Sequence, residues 1–82
     1  MIRGVYTVRD EASGLFMGLQ LNDNNDVAIR SFDYAMSHND MMAFRPTDYS
    51  LWYLGDYDDT TGIIESKNPM MIKRGVKNGK KS

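Results

Sequence analysis

The sequence predicts a small α+β domain of order ββαββ: an antiparallel sheet with one amphipathic helix on one face, followed by a basic, flexible C-terminal tail. Three observations predict it. Two β-branched and aromatic stretches, 3–9 and 49–57, each run into a polar turn that ends on glycine, and each turn leads into a second apolar stretch. Between these two hairpin patterns lies one segment with apolar residues at helical spacing. From residue 67 onward every charge is positive.

The elements follow in order. Residues 3–9 (RGVYTVR) suit a strand, and Asp10-Glu11-Ala12-Ser13-Gly14 suits a turn with Gly14 in a left-handed conformation. Residues 15–21 form the second strand. Simple alternation puts Leu15, Met17, Leu19 and Leu21 on one face and Phe16, Gly18 and Gln20 on the other. The run Asn22-Asp23-Asn24-Asn25-Asp26 starts a helix over 24–37, because Asn and Asp cap free amides and acids suit the positive helix end. Ala28, Ile29, Phe32, Ala35 and Met36 make its buried stripe, with Asp26, Arg30, Asp33 and Ser37 opposite. Residues 38–47 read as a loop anchored by Met41, Met42 and Phe44, and Arg45-Pro46 ends any helix.

The third strand covers 49–57. Alternation places Tyr49, Leu51, Tyr53 and Tyr57 on one face and Trp52 and Leu54 on the other. The turn Asp58-Asp59-Thr60-Thr61-Gly62 leads to a fourth strand at 63–66, which Asn68-Pro69 breaks and 70–73 resumes as an edge. The domain therefore spans 1–73 and the tail 74–82. Both faces of the third strand are apolar, yet a single helix covers only one. The other must meet the loop, a second subunit or a ligand.

The 82 residues allow one domain of modest stability. With no cysteine, disulfides and thiolate metal sites are excluded, and a reducing cytoplasm is the matching compartment. His38 is the only histidine, which excludes a histidine-rich metal site. No apolar run reaches the roughly 18 residues of a membrane span, and no signal peptide is visible. A homodimer or higher oligomer is the expected supplement to so small a core.

Catalytic chemistry finds no support. A cysteine nucleophile is absent, no serine stands at a recognisable spacing from His38, and Asp56, Asp58 and Asp59 sit on a turn rather than in a cleft. The same acidic turn lacks the ligand alternation and closing glutamate of a calcium loop. No glycine loop for phosphates is present. The reading is therefore a binding protein with no cofactor. Net charge is −1, but it is uneven: residues 1–66 hold four basic and eleven acidic side chains, or −7, and residues 67–82 hold +6. Such a tail either meets a polyanion or folds against its own body. The candidate nucleic-acid-binding residues are the cations Lys67, Lys73, Arg74, Lys77, Lys80 and Lys81 and the aromatics Tyr49, Trp52, Tyr53 and Tyr57.

Three stretches carry a family likeness: Tyr6-Thr7-Val8-Arg9-Asp10 with Gly14; Ala28-Ile29-Arg30-Ser31-Phe32; and residues 46–58 (PTDYSLWYLGDYD) with Gly62. In these the chain resembles the small nonstructural protein of gokushoviruses, tailless microvirus-group bacteriophages with single-stranded DNA genomes. The likeness spans roughly residues 5–65. Tyr49 stands where the family commonly has phenylalanine, Trp52 replaces a smaller aromatic, and the tail lies outside the motifs. The resemblance implies phage origin, action in the bacterial cytoplasm and a role around viral DNA, by analogy with microvirus proteins that commit replication to single-stranded genome synthesis and packaging. The leading reading is a binding module for single-stranded DNA, used during viral genome synthesis or packaging. The alternative is a non-catalytic module that docks on a viral replication protein, a procapsid protein or a host factor.

Overall fold

Strands β1 (Ile2–Asp10) and β2 (Leu15–Asn22) form one antiparallel hairpin, helix α1 (Asn25–His38) follows, and β3 (Tyr49–Asp58) and β4 (Ile63–Arg74) form the second hairpin. The computed structural model describes residues 1–77. The four strands make a single antiparallel sheet of order β2-β1-β3-β4, with α1 across one face. The ββαββ order expected from the sequence is the order observed.

Both turns are built alike. The N–H of Gly14 donates to the carbonyl of Asp10 at 2.8 Å, and that of Gly62 to the carbonyl of Asp58 at 2.7 Å. The aspartate side chains accept from the turn amides, Asp10 from Ala12 and Asp58 from Thr60. Each glycine takes a positive φ, 76° and 78°, which closes the turn without a Cβ clash.

Helix α1 starts where its capping residues require. The Asn24 side chain accepts from the Val27 N–H at 2.9 Å, and Asp26 sits in the first turn. Ala28, Phe32 and Met36, four apart, are buried against Tyr6, Val8, Tyr49 and Leu51. Ile29, Ala35, Met42, Tyr53 and Ile72 border this core.

Residues 38–47 are not a plain loop. They hold a short helix, α2 (Asp40–Phe44), and a 3₁₀ turn, Pro46–Asp48. Asn39 explains the first: its backbone N–H ends α1 on the Ala35 carbonyl, while its side chain accepts from the Met41 and Met42 amides and starts α2. Of the three expected anchors only Met42 reaches the core. Met41 projects outward and Phe44 is 82% exposed.

Two bulges overturn the expected strand faces. Across β1 and β3, Val5 pairs with Gly55 but Tyr6 pairs with Tyr53, so Leu54 is an extra residue. This shifts the alternation of β3 by one. Tyr49, Leu51 and Tyr53 face the helix, whereas Tyr57, opposite Arg3, joins Trp52 on the open face. Gly55 permits the bulge: its φ is 152°, and a Cβ there would lie 2.2 Å from the Glu65 carbonyl oxygen. In β2 the register slips between Thr7 and Arg9, so Phe16 (opposite Arg9) shares the open face with Leu19 and Leu21, opposite Thr7 and Val5. The face expected for Phe16 was therefore wrong relative to Leu19 and Leu21. Finally, β4 is one strand rather than two. Its ladder skips residues 67–69, and Pro69 falls in that gap, where no ladder amide is needed.

Candidate nucleic-acid interface

The sheet face away from α1 carries the candidate site. At its centre the Trp52 indole Nε1 donates to Ser50 Oγ at 2.8 Å, and Ser50, fully buried, donates to Glu11 Oε2. The other Glu11 oxygen holds Arg9 Nη1 at 2.9 Å. The Arg9 guanidinium lies 5.4 Å above the Phe16 ring centre, and Phe16 meets Trp52 edge-on with centroids 5.5 Å apart. Polar and aromatic contacts thus close a ring from Trp52 through Ser50, Glu11, Arg9 and Phe16 back to Trp52. The ring fixes a partly exposed indole, with Phe16 between it and the Arg9 cation.

Toward the other end of the same face, Val5, Leu19, Leu21, Tyr57 and Ile64 line a shallow apolar depression. Leu19 is 69% and Ile64 65% exposed. Met71, opposite Trp52, is also exposed. Eight large apolar side chains thus share one sheet face, and five of them, Phe16, Leu19, Leu21, Ile64 and Met71, are exposed.

The aromatic residues singled out in the sequence divide between the two faces. Trp52 and Tyr57 are on the open face. Tyr49 is part of the helix-side core. Tyr53 is on the helix side too: its ring tilts against Tyr6 at 5.6 Å and its hydroxyl donates to Asp56 Oδ1 at 2.6 Å. That bond raises the Tyr53 pKa and, with Lys67, holds the Asp56 carboxyl below the usual range.

The cations divide as well. Lys67 pairs with Asp56 at 3.1 Å, and its pKa is raised by that carboxylate. Lys73 reaches across the helix side to Asp33 at 2.9 Å. Both positive charges are thus turned against the acidic body. Arg74 pairs in register with Ser50, on the open-face side, and its Nε donates to the Thr47 carbonyl at 3.0 Å. Gly75 is buried and donates to the Tyr49 carbonyl, so the ordered chain passes Arg74. Lys77 lies beside Phe44, Arg45 and Pro46. Among the described residues, Arg30, Arg74 and Lys77 have no carboxylate within ion-pair distance. Lys80 and Lys81 lie outside the described residues.

Phe16 and Arg9 belong to the open face and were not among the sequence candidates. The signal for them was a cation and an aromatic flanking the first turn, but only the β2 bulge aligns Phe16 with Trp52. Among the described residues, no group of three or more His, Asp or Glu side chains gathers as a metal site would. No described helix is long and apolar enough to cross a membrane.

No curated protein and no solved structure matches the chain. One protein family does, over residues 3–78, and its description is "Phage ORF5 protein". That match takes in both hairpins, α1 and the residues of the open face, and the chain belongs to this bacteriophage protein family.

Proposed function

We propose that this phage protein binds single-stranded DNA with little sequence preference, acting by binding rather than catalysis, during viral genome synthesis or packaging in the bacterial cytoplasm. One observation carries the reading: a partly exposed Trp52, its indole held by Ser50 and met edge-on by Phe16, over whose ring Arg9 lies, on a sheet face that α1 does not cover. Unpaired bases stack on such aromatics, and each stacked base contributes about 1–3 kcal/mol. Arg74, Lys77, Lys80 and Lys81 are the cations available for phosphates, since Lys67 and Lys73 are engaged by Asp56 and Asp33. The acidic body opposes duplex binding, because a dense phosphate array meets its net negative charge. The gokushovirus resemblance supports the same reading through the single-stranded genome of those phages.

A second reading has an observation of its own. The aliphatic half of the open face, with Leu19, Leu21 and Ile64, suits a docking site for a viral replication or procapsid protein or a host factor. Titration of Trp52 fluorescence with oligothymidylate at about 50 mM salt separates the two. Quenching that saturates supports DNA binding. No change at about 100 μM protein hands the open face to a protein partner.

A further inference from the structure

The sheet has two edges, and they are treated differently. Strand β4 carries Glu65, Lys67, Pro69, Lys73 and Arg74, and its ladder is interrupted at 67–69. Charges, proline and irregular pairing are the usual means by which an edge refuses a further strand. Strand β2, LFMGLQLN, has none of the first two: no charge and no proline in eight residues, seven of them exposed. Its bulge opposite Val8 interrupts only part of it. From Leu19 to Asn22 it stays in register with β1, Leu19 opposite Thr7 through Asn22 opposite Gly4.

We infer that β2 is the docking edge for a second copy of this chain, the two β2 strands pairing antiparallel about a two-fold axis near Gln20 into one eight-stranded sheet. A two-fold interface sets a surface against itself, so any charge near the axis meets its own sign. β2 has no such charge to oppose. With the axis near Gln20, Leu19 of each copy stands opposite Leu21 of the other, and apolar cross-strand pairs favour the register. The two Gln20 amides meet at the axis, where each has both a donor and an acceptor to offer the other. On β4 an axis at either of its regularly paired ends, near Glu65 or near Lys73 and Arg74, would bring like charges together. Joined through β2, the two open faces run on as one surface, with the Trp52 clusters at separate places along it. The inference stands whether or not that surface binds DNA.

Sedimentation equilibrium of the full chain, across about 10–500 μM, tests it. The wild type is expected at twice the chain mass. Leu19→Lys and Leu19→Glu, at an exposed position that leaves the core untouched, are each expected as monomers with unchanged far-ultraviolet circular dichroism. An equimolar mixture of the two recovers the dimer, because residues 19 of the two copies are diagonal neighbours within reach of long side chains. Leu21→Lys is a second variant with the same expected result. Ile64→Lys, on the open face but on the far strand, keeps the dimer. A wild-type monomer throughout the range overturns the inference, as does a Leu19→Lys protein that stays dimeric. A mixture that stays monomeric overturns it as well. Dissociation by Ile64→Lys as complete as that by Leu19→Lys means the open faces stack on each other, and also overturns it.

Discussion

The indole N–H of Trp52 donates to the hydroxyl of Ser50, two residues earlier on the same strand and the same face, at 2.8 Å. Ser50 is wholly buried and passes its own proton toward Glu11. Ser50→Ala removes one acceptor and one donor at once and leaves both partners unsatisfied in a part-buried site. The expected cost is about 1–3 kcal/mol in urea unfolding. The Trp52 emission maximum should also move to longer wavelength as the freed indole turns to water. A variant with wild-type stability and emission would show that this bond does not hold the indole.

The helix-side core rests on Phe32, which lies among Tyr6, Val8, Tyr49 and Leu51. Phe32→Ala should cost about 3–5 kcal/mol, the range for a buried phenylalanine. A loss below about 1 kcal/mol would mean that α1 does not pack through this stripe.

Acid should act through Asp56. The Tyr53 hydroxyl, and after it Lys67, lowers the Asp56 pKa from its ordinary 3.8. A carboxyl lowered on folding stabilises the protein above its unfolded pKa, and that contribution drains away as pH falls through the folded one. Urea midpoints measured from pH 5 downward should therefore fall below about pH 4. In Asp56→Asn the decline should be shallower, with lower stability at pH 7. Identical acid limbs in the two proteins would remove Asp56 from the account.

DNA binding carries its own salt signature. Each phosphate neutralised on a single strand contributes about −0.7 to the slope of log affinity against log salt. If Arg74, Lys77, Lys80 and Lys81 all engage, the slope should be about −3. Deleting residues 78–82 removes Lys80 and Lys81 while sparing Arg74 and the buried Gly75, and should halve it. Trp52→Leu should instead weaken binding by about 1–3 kcal/mol at every salt concentration. Affinity for oligothymidylate, followed by anisotropy of a labelled strand, reads both. A slope unchanged by the deletion would move the phosphate contacts onto the sheet.

Much of the fold was legible because local signals agreed with one another. Asn24 capped α1 where the Asn-Asp run suggested, and Ala28, Phe32 and Met36 kept a clean helical spacing. The glycine turns marked both hairpins. The candidate site was less legible, for two physical reasons. Alternation assumes an unbroken ladder, and each bulge reverses it for every residue beyond, which misplaced Tyr57 and Phe16. Charge along the chain also says nothing about pairing across it. Lys67 and Lys73 read as part of a polyanion-binding tail, yet they close onto Asp56 and Asp33 from strands and helices distant in sequence.

The bulge at Leu54 and Gly55 makes the length of β3 as consequential as its composition. The two halves of this strand are out of phase, so a single-residue deletion there restores parity and swings Tyr57 to the helix side of the sheet, subtracting one aromatic from the open face without changing any side chain. Point substitutions on either side of Gly55 leave the phase intact. Insertions and deletions do not, and in relatives of this chain a gap at this position would reassign an entire half-strand from one side of the sheet to the other.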